Sequence, residues 1–457
     1  MLKIDQRQYT PSLIDKLVFA GVSHKSAKKA ARAMLKLAGV KVSGMEIMRV
    51  TQQIGQELLE QRERDAELQQ RRELPSANEQ LVEIACIEVD GGRIRTRAAG
   101  KGRGVHDQGW KETKVAALWR MKGPTFTQDP HPEPPRCFLD ERHVPQMVRE
   151  IKRLRSEQHA RDDENAEKTA ADSLPKAATD DGSTERSWPP KRIFRTCVAT
   201  LKDVYGFGLL VAAEAQRRGF YEAPRRAFLG DGDHKNWTVH ELHFPFFTPI
   251  TDFVHPVTYL YEAAGAVTSS RSAHWEQYAQ WMTATWQGGV ATVIADLEGW
   301  QQRLGLPEEE TPENDPRQII SKTRTYLRNN QPRMNYPEYR RQGLPITSCL
   351  VESLIKEING RVKGTEQFWN RPNAIEAESM LQAIAQSLGD GEMLTEYILS
   401  RPGSLYYRRG TAKRKPIKRP EKKRRGRKRP AASNPANKPP AAKSKARRTR
   451  RKRREML

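Results

Sequence analysis

Cysteine is scarce: four residues in 457, at positions 86, 137, 197 and 349, with no Cys-x-x-Cys pair and no paired spacing. That excludes a disulfide scaffold and a zinc ribbon, and it fits a reducing compartment. No apolar run reaches membrane-spanning length, and the first residues lack the apolar core of a signal peptide, so the sequence reads as a soluble intracellular protein with no membrane partner. Apolar residues make up only 37%. In a chain with room for two or three domains, that implies stretches of linker or tail. No internal repeat is present. Acids are nearly missing from the C-terminal end, where residues 413–457 carry 22 Lys and Arg against Glu421 and Glu455. This end holds about +20 of the formal net charge of +24, which leaves the body nearly neutral. Residues 410–457 therefore read as a disordered basic tail. Its cations, among them Lys413, Arg424, Arg425 and Arg427, suit sequence-independent contacts with DNA phosphates.

The first 75 residues are helical in pattern. Thr10-Pro11 opens a helix that Gly21 is expected to end, Ser23 caps a second through Leu37, and Gly39 closes it. Ser43 and Glu46 have capping-box spacing at the start of a third helix, whose apolar face is Ile47, Val50, Ile54 and Leu58. Arg49, Gln52 and Gln53 lie off that face, as base-reading side chains would in a helix-turn-helix; a plain helical hairpin has the same pattern. The charged run "LLEQRERDAELQQRREL" reads as a solvated helix leading out of this module.

From Leu81 the pattern turns to strands. "LVEIACIEVDGGRIRTR" is apolar and β-branched but broken by Asp-Gly-Gly, and "WKETKVAALWRM" forms a further strand. A helix-like stretch follows near Val144 to Leu154. Residues 156–187, with nine acids against four bases and almost nothing apolar, read as a disordered linker. "TCVATLKDVYGFGLLVAAEAQRRGF" looks helical, with Gly219 as its stop; "RRAFLG" is a short strand, and "FFTPITDFVH" is another, ending in Pro256, which suits the start of a helix. Residues 257–330 are largely helical and carry Trp275, Trp281, Trp286 and Trp300. A last helix begins at Thr347 or Ser348, with Leu350, Leu354 and Ile358 as its stripe.

Carboxylates stand at three junctions: Asp90 after the first strand, Asp231 after a later one, and Glu352 in the first turn of the late helix. Phosphoryl transfer by two metal ions needs hard oxygen ligands converging on ions about 3.5–4 Å apart, and strand ends and helix starts deliver such ligands rigidly. Each acid also has an ordinary reading. Asp90 in Asp-Gly-Gly can make a hairpin turn, Asp231 and Asp233 an Asx turn or a helix cap, and Glu352 can complement a helix dipole.

Taken together, "IEVDGGRIRTR", "GWKETKVAALW", "EAQRRGFYEAPRRAFLGDG" and "YRRQGLPITSCLVESLIKEINGRVKG" resemble the DDE transposases of the RNase H-like superfamily, in particular the ISKra-type insertion-sequence group related to Mutator-like elements. "DFVH" matches the Asp-x-x-His element of Mutator-like enzymes, and "LAGVKVSGMEIMRVTQQIG" resembles the group's helix-turn-helix segment. The resemblance spans roughly residues 10–400 in blocks, and "GLPITSCLVES" is its most specific piece.

The resemblance implies an α/β fold with an RNase H-like mixed sheet and flanking helices, interrupted by a helical insertion before the last acid. The implied organisation is a helix-turn-helix domain over 1–75, a catalytic domain over 80–255 and 331–405, the insertion over 256–330, and the tail over 410–457. It also implies that Asp90, Asp231 and Glu352 bind two Mg²⁺ (or Mn²⁺) ions, with Asp252 and His255 as an accessory pair. Asp233, where the group carries a small or neutral residue, is left as a turn or cap. The tryptophans of the insertion could stack on a distorted base, although at helical spacings most belong to a core.

The expectation is a transposase acting on double-stranded DNA, both element ends and target, that forms a homo-oligomer when assembled on DNA in a bacterial cytoplasm, associated with the nucleoid. Two alternatives remain: a non-catalytic DNA-binding protein derived from a transposase, and a basic RNA-binding protein.

Overall fold

The computed structural model describes residues 4–5, 7–76, 81–96, 109–159, 188–347, 354, 357–358, 360–362 and 375–402. The chain divides into a compact unit, Met1–Arg408, and a second unit, Arg409–Leu457, which lies outside the described residues together with the tail sites Lys413, Arg424, Arg425 and Arg427. The first unit is mixed α/β, built on a five-stranded sheet flanked by helices. Among the described residues no helix is long and apolar enough to cross a membrane.

The strands are β1 (Ile84–Thr96), β2 (Gly109–Lys122), β3 (Lys191–Thr200), β4 (Arg225–Gly230) and β5 (Thr248–Thr251), in the order β3-β2-β1-β4-β5. β2 runs antiparallel to both neighbours, whereas β1, β4 and β5 are parallel. Both faces of the sheet are covered. Ile84, Cys86, Ala227, Leu229 and Ile250 belong to one apolar cluster; Ala85, Ile87, Ala116 and Phe228 belong to another. Burial on both faces is why "IACIEV" and "AFLG" read as continuous apolar runs rather than alternating ones.

Asp90 does not follow the first strand. β1 continues through Asp-Gly-Gly, with Asp90, Gly91 and Gly92 paired to Val115, Lys114 and Thr113 of β2. The hairpin-turn reading is thereby excluded, because the partner strand is unbroken opposite the glycines. "TCVAT" is likewise the end of β3, not the start of a helix; Asp203 then caps α5 (Val204–Arg217) by accepting the Gly206 N–H at 2.8 Å. Gly219, at φ +68°, stands just past that helix as expected.

At the N-terminus, α1 (Pro11–Ser23) is capped by Thr10, α2 (Ala27–Ala38) ends at Gly39 in the left-handed region, and α3 (Gly44–Gln70) is capped by Ser43, whose hydroxyl accepts the Glu46 N–H. Gly21 does not end α1. It lies inside the helix, where a Cβ would collide with Thr51 of α3, so the glycine serves close packing. The cap residue before α2 is Ser26 rather than Ser23.

The run from Leu58 is not a solvated lead-out. It is the second half of α3, and it packs on α5 and on α12 (Ile375–Ser387). Its charges find partners there: Asp65 with Arg217, Glu63 with Lys202, and Arg62 with Gln382 and the Cys197 carbonyl. Charge patterning alone cannot separate such a helix from one facing water.

After β5, α7 (Val254–Val267), α8 (Arg271–Trp286), α9 (Val290–Leu304) and α10 (Pro316–Asn330) pack on one another as a helical layer, with α4 (His143–His159) against α7, and the short α11 (Tyr336–Arg341) follows. The helix α4 runs four residues into the stretch read as linker; residues 160–187 lie outside the described residues. Trp281 and Trp286 are each 1% exposed, and Trp275 and Trp300 pack half-buried against the same core. The Trp286 ring meets Phe253 edge-on at 4.9 Å, lies under the Arg340 guanidinium, and donates its N–H to the His131 carbonyl at 2.9 Å. For Trp281 and Trp286 the core role holds, since neither has a face open to a base. Leu354 and Ile358 are buried as the apolar stripe requires, while Leu350 and Glu352 lie outside the described residues.

Candidate functional site

The parallel strands carry the site. β1 and β4 are in register from Ile84↔Arg225 to Glu88↔Leu229, so two residues further on Asp90 stands level with Asp231, just beyond the end of β4. β4 and β5 are in register to Gly230↔Thr251, and the Asp252 N–H donates to the Gly230 carbonyl at 3.0 Å, which sets Asp252 level with Asp231 on the other side. Because side chains alternate along a strand, Asp90, Asp231 and Asp252 share the sheet face of Cys86, Leu229 and Ile250. Three aspartates thus stand in one row across three neighbouring strands.

Asp231 is held firmly. Its Oδ1 accepts the Asp233 N–H and the Asn236 side-chain amide, both at 2.9 Å, and its carbonyl accepts the Tyr326 hydroxyl at 2.9 Å. Gly232 makes this possible: its φ is +99°, and a Cβ there would lie 2.7 Å from Cε2 of Tyr326. Asp233 is the N-cap of α6 (His234–His243), accepting the Lys235 N–H at 2.8 Å. The two aspartates of Asp-Gly-Asp therefore have separate tasks, one at the strand end and one at the helix start.

Asp252 is fully buried, and its Oδ1 accepts the Val254 N–H at 3.3 Å. Oδ2 of the same carboxylate lies 3.9 Å from Nε2 of His255, one helical turn on. The adjacent Thr251 carbonyl accepts the hydroxyl of Tyr336, a phenol that burial, with Tyr326 and Asp252 nearby, pushes well above its ordinary pKa. Half-buried Asp90 accepts the Gly91 N–H at 2.6 Å.

The sequence reading missed three members of this neighbourhood. Glu88, fully buried, lies on the same face as Asp90 one pleat back; its sign is a carboxylate at the core parity of an otherwise apolar strand. Tyr326 and Asn330 come from α10. Asn330 accepts the N–H of Trp237, which follows Asp231 on α6, and this tie is invisible in a sequence where the partners are 93 residues apart. Glu352 lies outside the described residues. Among the described residues no group of three or more His, Cys, Asp or Glu could hold a metal ion by itself.

Of the three side chains expected to read bases, Arg49 is exposed on α3 with Glu46 3.7 Å away, Gln52 is half-buried, and Gln53 is engaged, accepting from Arg7 and donating to Glu57. No known family model matches the chain, and no curated protein is significantly similar to it.

Proposed function

We propose that the chain is a DNA transposase of an insertion sequence, with an RNase H-like catalytic domain in which Asp90, Asp231 and Glu352 are the acidic triad. The observation that carries this reading is the parallel register of β1 and β4, which brings Asp90 and Asp231 level on one face although 140 residues of sequence separate them.

In this reading the carboxylates of Asp90, Asp231 and Glu352 would hold a hard divalent cation. Asp231 spends Oδ1 on the protein and keeps Oδ2 for a ligand, and carboxylate oxygens are the chemistry that Mg²⁺ or Mn²⁺ takes. When bound, two such ions would activate a hydroxyl for in-line attack on a phosphodiester and stabilise the leaving oxygen. The protein's part is positional. Gly232 and Tyr326 fix the Asp231 backbone, and Asn236 sets its carboxylate. Asp252 and His255, 3.9 Å apart, would be an accessory pair beside Asp231. The reaction would be strand cleavage at an element end, followed by attack of the freed 3′-hydroxyl on target DNA. Binding two ends calls for a homo-oligomer on DNA. The α1–α3 helices would engage the ends as a helix-turn-helix, and the basic tail would add contacts to phosphates.

Asp231→Asn keeps the hydrogen-bond acceptor and removes the charge. It is expected to abolish Mg²⁺-dependent nicking of a DNA carrying the element's own ends while leaving binding to those ends intact. A variant that still cuts would remove Asp231 from the site; wild-type protein that binds the ends but never cuts would favour a non-catalytic DNA-binding protein.

A further inference from the structure

Residues 22–45, which contain α2 and its two flanks, hold six basic residues and no acid. All six, Lys25, Lys28, Lys29, Arg32, Lys36 and Lys41, are exposed. Among the described residues none of them is held in an ion pair, in contrast to Arg7 and Arg49, which both lean on Glu46. Ala30 and Met34 are the buried side of α2. At 3.6 residues per turn, Lys28, Lys29, Arg32 and Lys36 fall within an arc of about 100° on the opposite side, and Lys28 to Lys36 spans about 12 Å.

Such a stripe costs the helix stability. Like charges at i, i+4 (Lys28 with Arg32, Arg32 with Lys36) disfavour it. Lys28 and Lys29 also oppose the dipole in the first turn, where α2 has no acid. A face that serves only solubility mixes both signs and avoids these penalties. The unmixed stripe fits a polyanion. No aromatic residue lies on α2, so it offers no platform for unstacked bases, and phosphates of a duplex are the better match.

We propose that α2, through Lys28, Lys29, Arg32 and Lys36, is the surface of the folded body that binds the phosphate backbone of duplex DNA, ahead of the side chains of α3. This rests on the DNA-binding part of the proposed function and not on its catalysis.

The test uses the full-length protein and a duplex without element ends, with affinity followed against salt concentration. Replacing Lys28, Arg32 and Lys36 together by Gln should make the logarithmic salt slope shallower by about 2.7, at about 0.9 per lost phosphate contact. The same charge removed elsewhere, as Lys122→Gln, Lys191→Gln and Arg303→Gln, should leave the slope unchanged. Arg32→Gln alone, expected to change it by about 0.9, serves if the triple variant loses its helical signal. An unchanged slope in the α2 variants, an equal change in the control triple, or competition by single-stranded RNA as strong as by the duplex would overturn the proposal. Asp231→Asn separates it from the catalytic reading, because that variant keeps the wild-type slope whether or not the wild-type protein cuts.

Discussion

The Tyr326 hydroxyl donates to the Asp231 main-chain carbonyl at 2.9 Å, directly over a glycine that leaves room for the ring. Helix α10 is thereby tied to the backbone of the acid that follows β4.

Replacing Gly232 by Ala should be costly for two reasons acting together: a φ of +99° and a Cβ 2.7 Å from the Tyr326 ring. Strain of this kind is worth about 1–3 kcal/mol. Tyr326→Phe removes only the hydroxyl and should cost about 1 kcal/mol. Denaturant unfolding of both single variants and the double variant measures this. In the double variant the costs should sum to less than the two single losses, because the Cβ would also meet the Tyr326 hydroxyl, 3.0 Å away, which Phe removes.

Asp233→Asn should lie within about 0.5 kcal/mol of wild type, since Asn caps a helix as well as Asp, whereas Asp233→Ala should lose about 1 kcal/mol. Both should retain any strand-cleaving activity. An Asp233→Asn variant that folds normally and loses cleavage would mean that this carboxylate, and not only Asp231, takes part in the chemistry.

Gly55 sits within α3, where an Ala normally stabilises a helix by about 0.5–1 kcal/mol. Here the sign should reverse. A Cβ at Gly55 would run into the main chain of Ser379 on α12, and overpacking of this kind costs about 1–3 kcal/mol. Thermal unfolding of Gly55→Ala decides whether α3 is packed against the body; a raised midpoint would mean that it is not.

Arg340 is fully buried and grips Asp129 with two hydrogen bonds, at 2.8 and 2.5 Å. Burial pushes the Asp129 carboxyl up, but the hydrogen bonds from Arg340 and the His131 N–H, with the guanidinium charge, outweigh it and hold the group below its ordinary value. A depressed carboxyl contributes stability that is present above its unfolded pKa, about 3.9, and is lost as pH falls through the folded value. Unfolding midpoints should therefore drop more steeply below about pH 4 in wild type than in Asp129→Asn. That variant should also be less stable at neutral pH, by about 3–5 kcal/mol if the buried arginine is left without its charge partner.

Much of this was legible in the residues themselves. The caps at Thr10, Ser43 and Asp233, the stops at Gly39 and Gly219, and the apolar stripe Ile47-Val50-Ile54-Leu58 depend on side chains and backbones a few residues apart, and local chemistry determines them. The strand positions of Asp90 and Asp231 were approachable for the same reason, except that Asp-Gly-Gly reads as a turn until a partner strand is seen running past it. The row of Asp90, Asp231 and Asp252 is different in kind. It follows from strand register, and register is chosen by burial on both faces of the sheet, a property of all the strands at once.

Distance in sequence hid the remaining features. The charges of α3 look solvated until α5 and α12 supply Arg217 and Gln382, and Gly21 looks like a helix stop until Thr51 is found against it. By itself the sequence determined where helices begin, which positions seek the core and where the net charge lies, because those depend on neighbouring residues. Only the tertiary structure decided which acids share a face, which glycines exist for close approach, and which of the described cations stand outside ion pairs, because each of those is a relation between chain segments that meet only on folding.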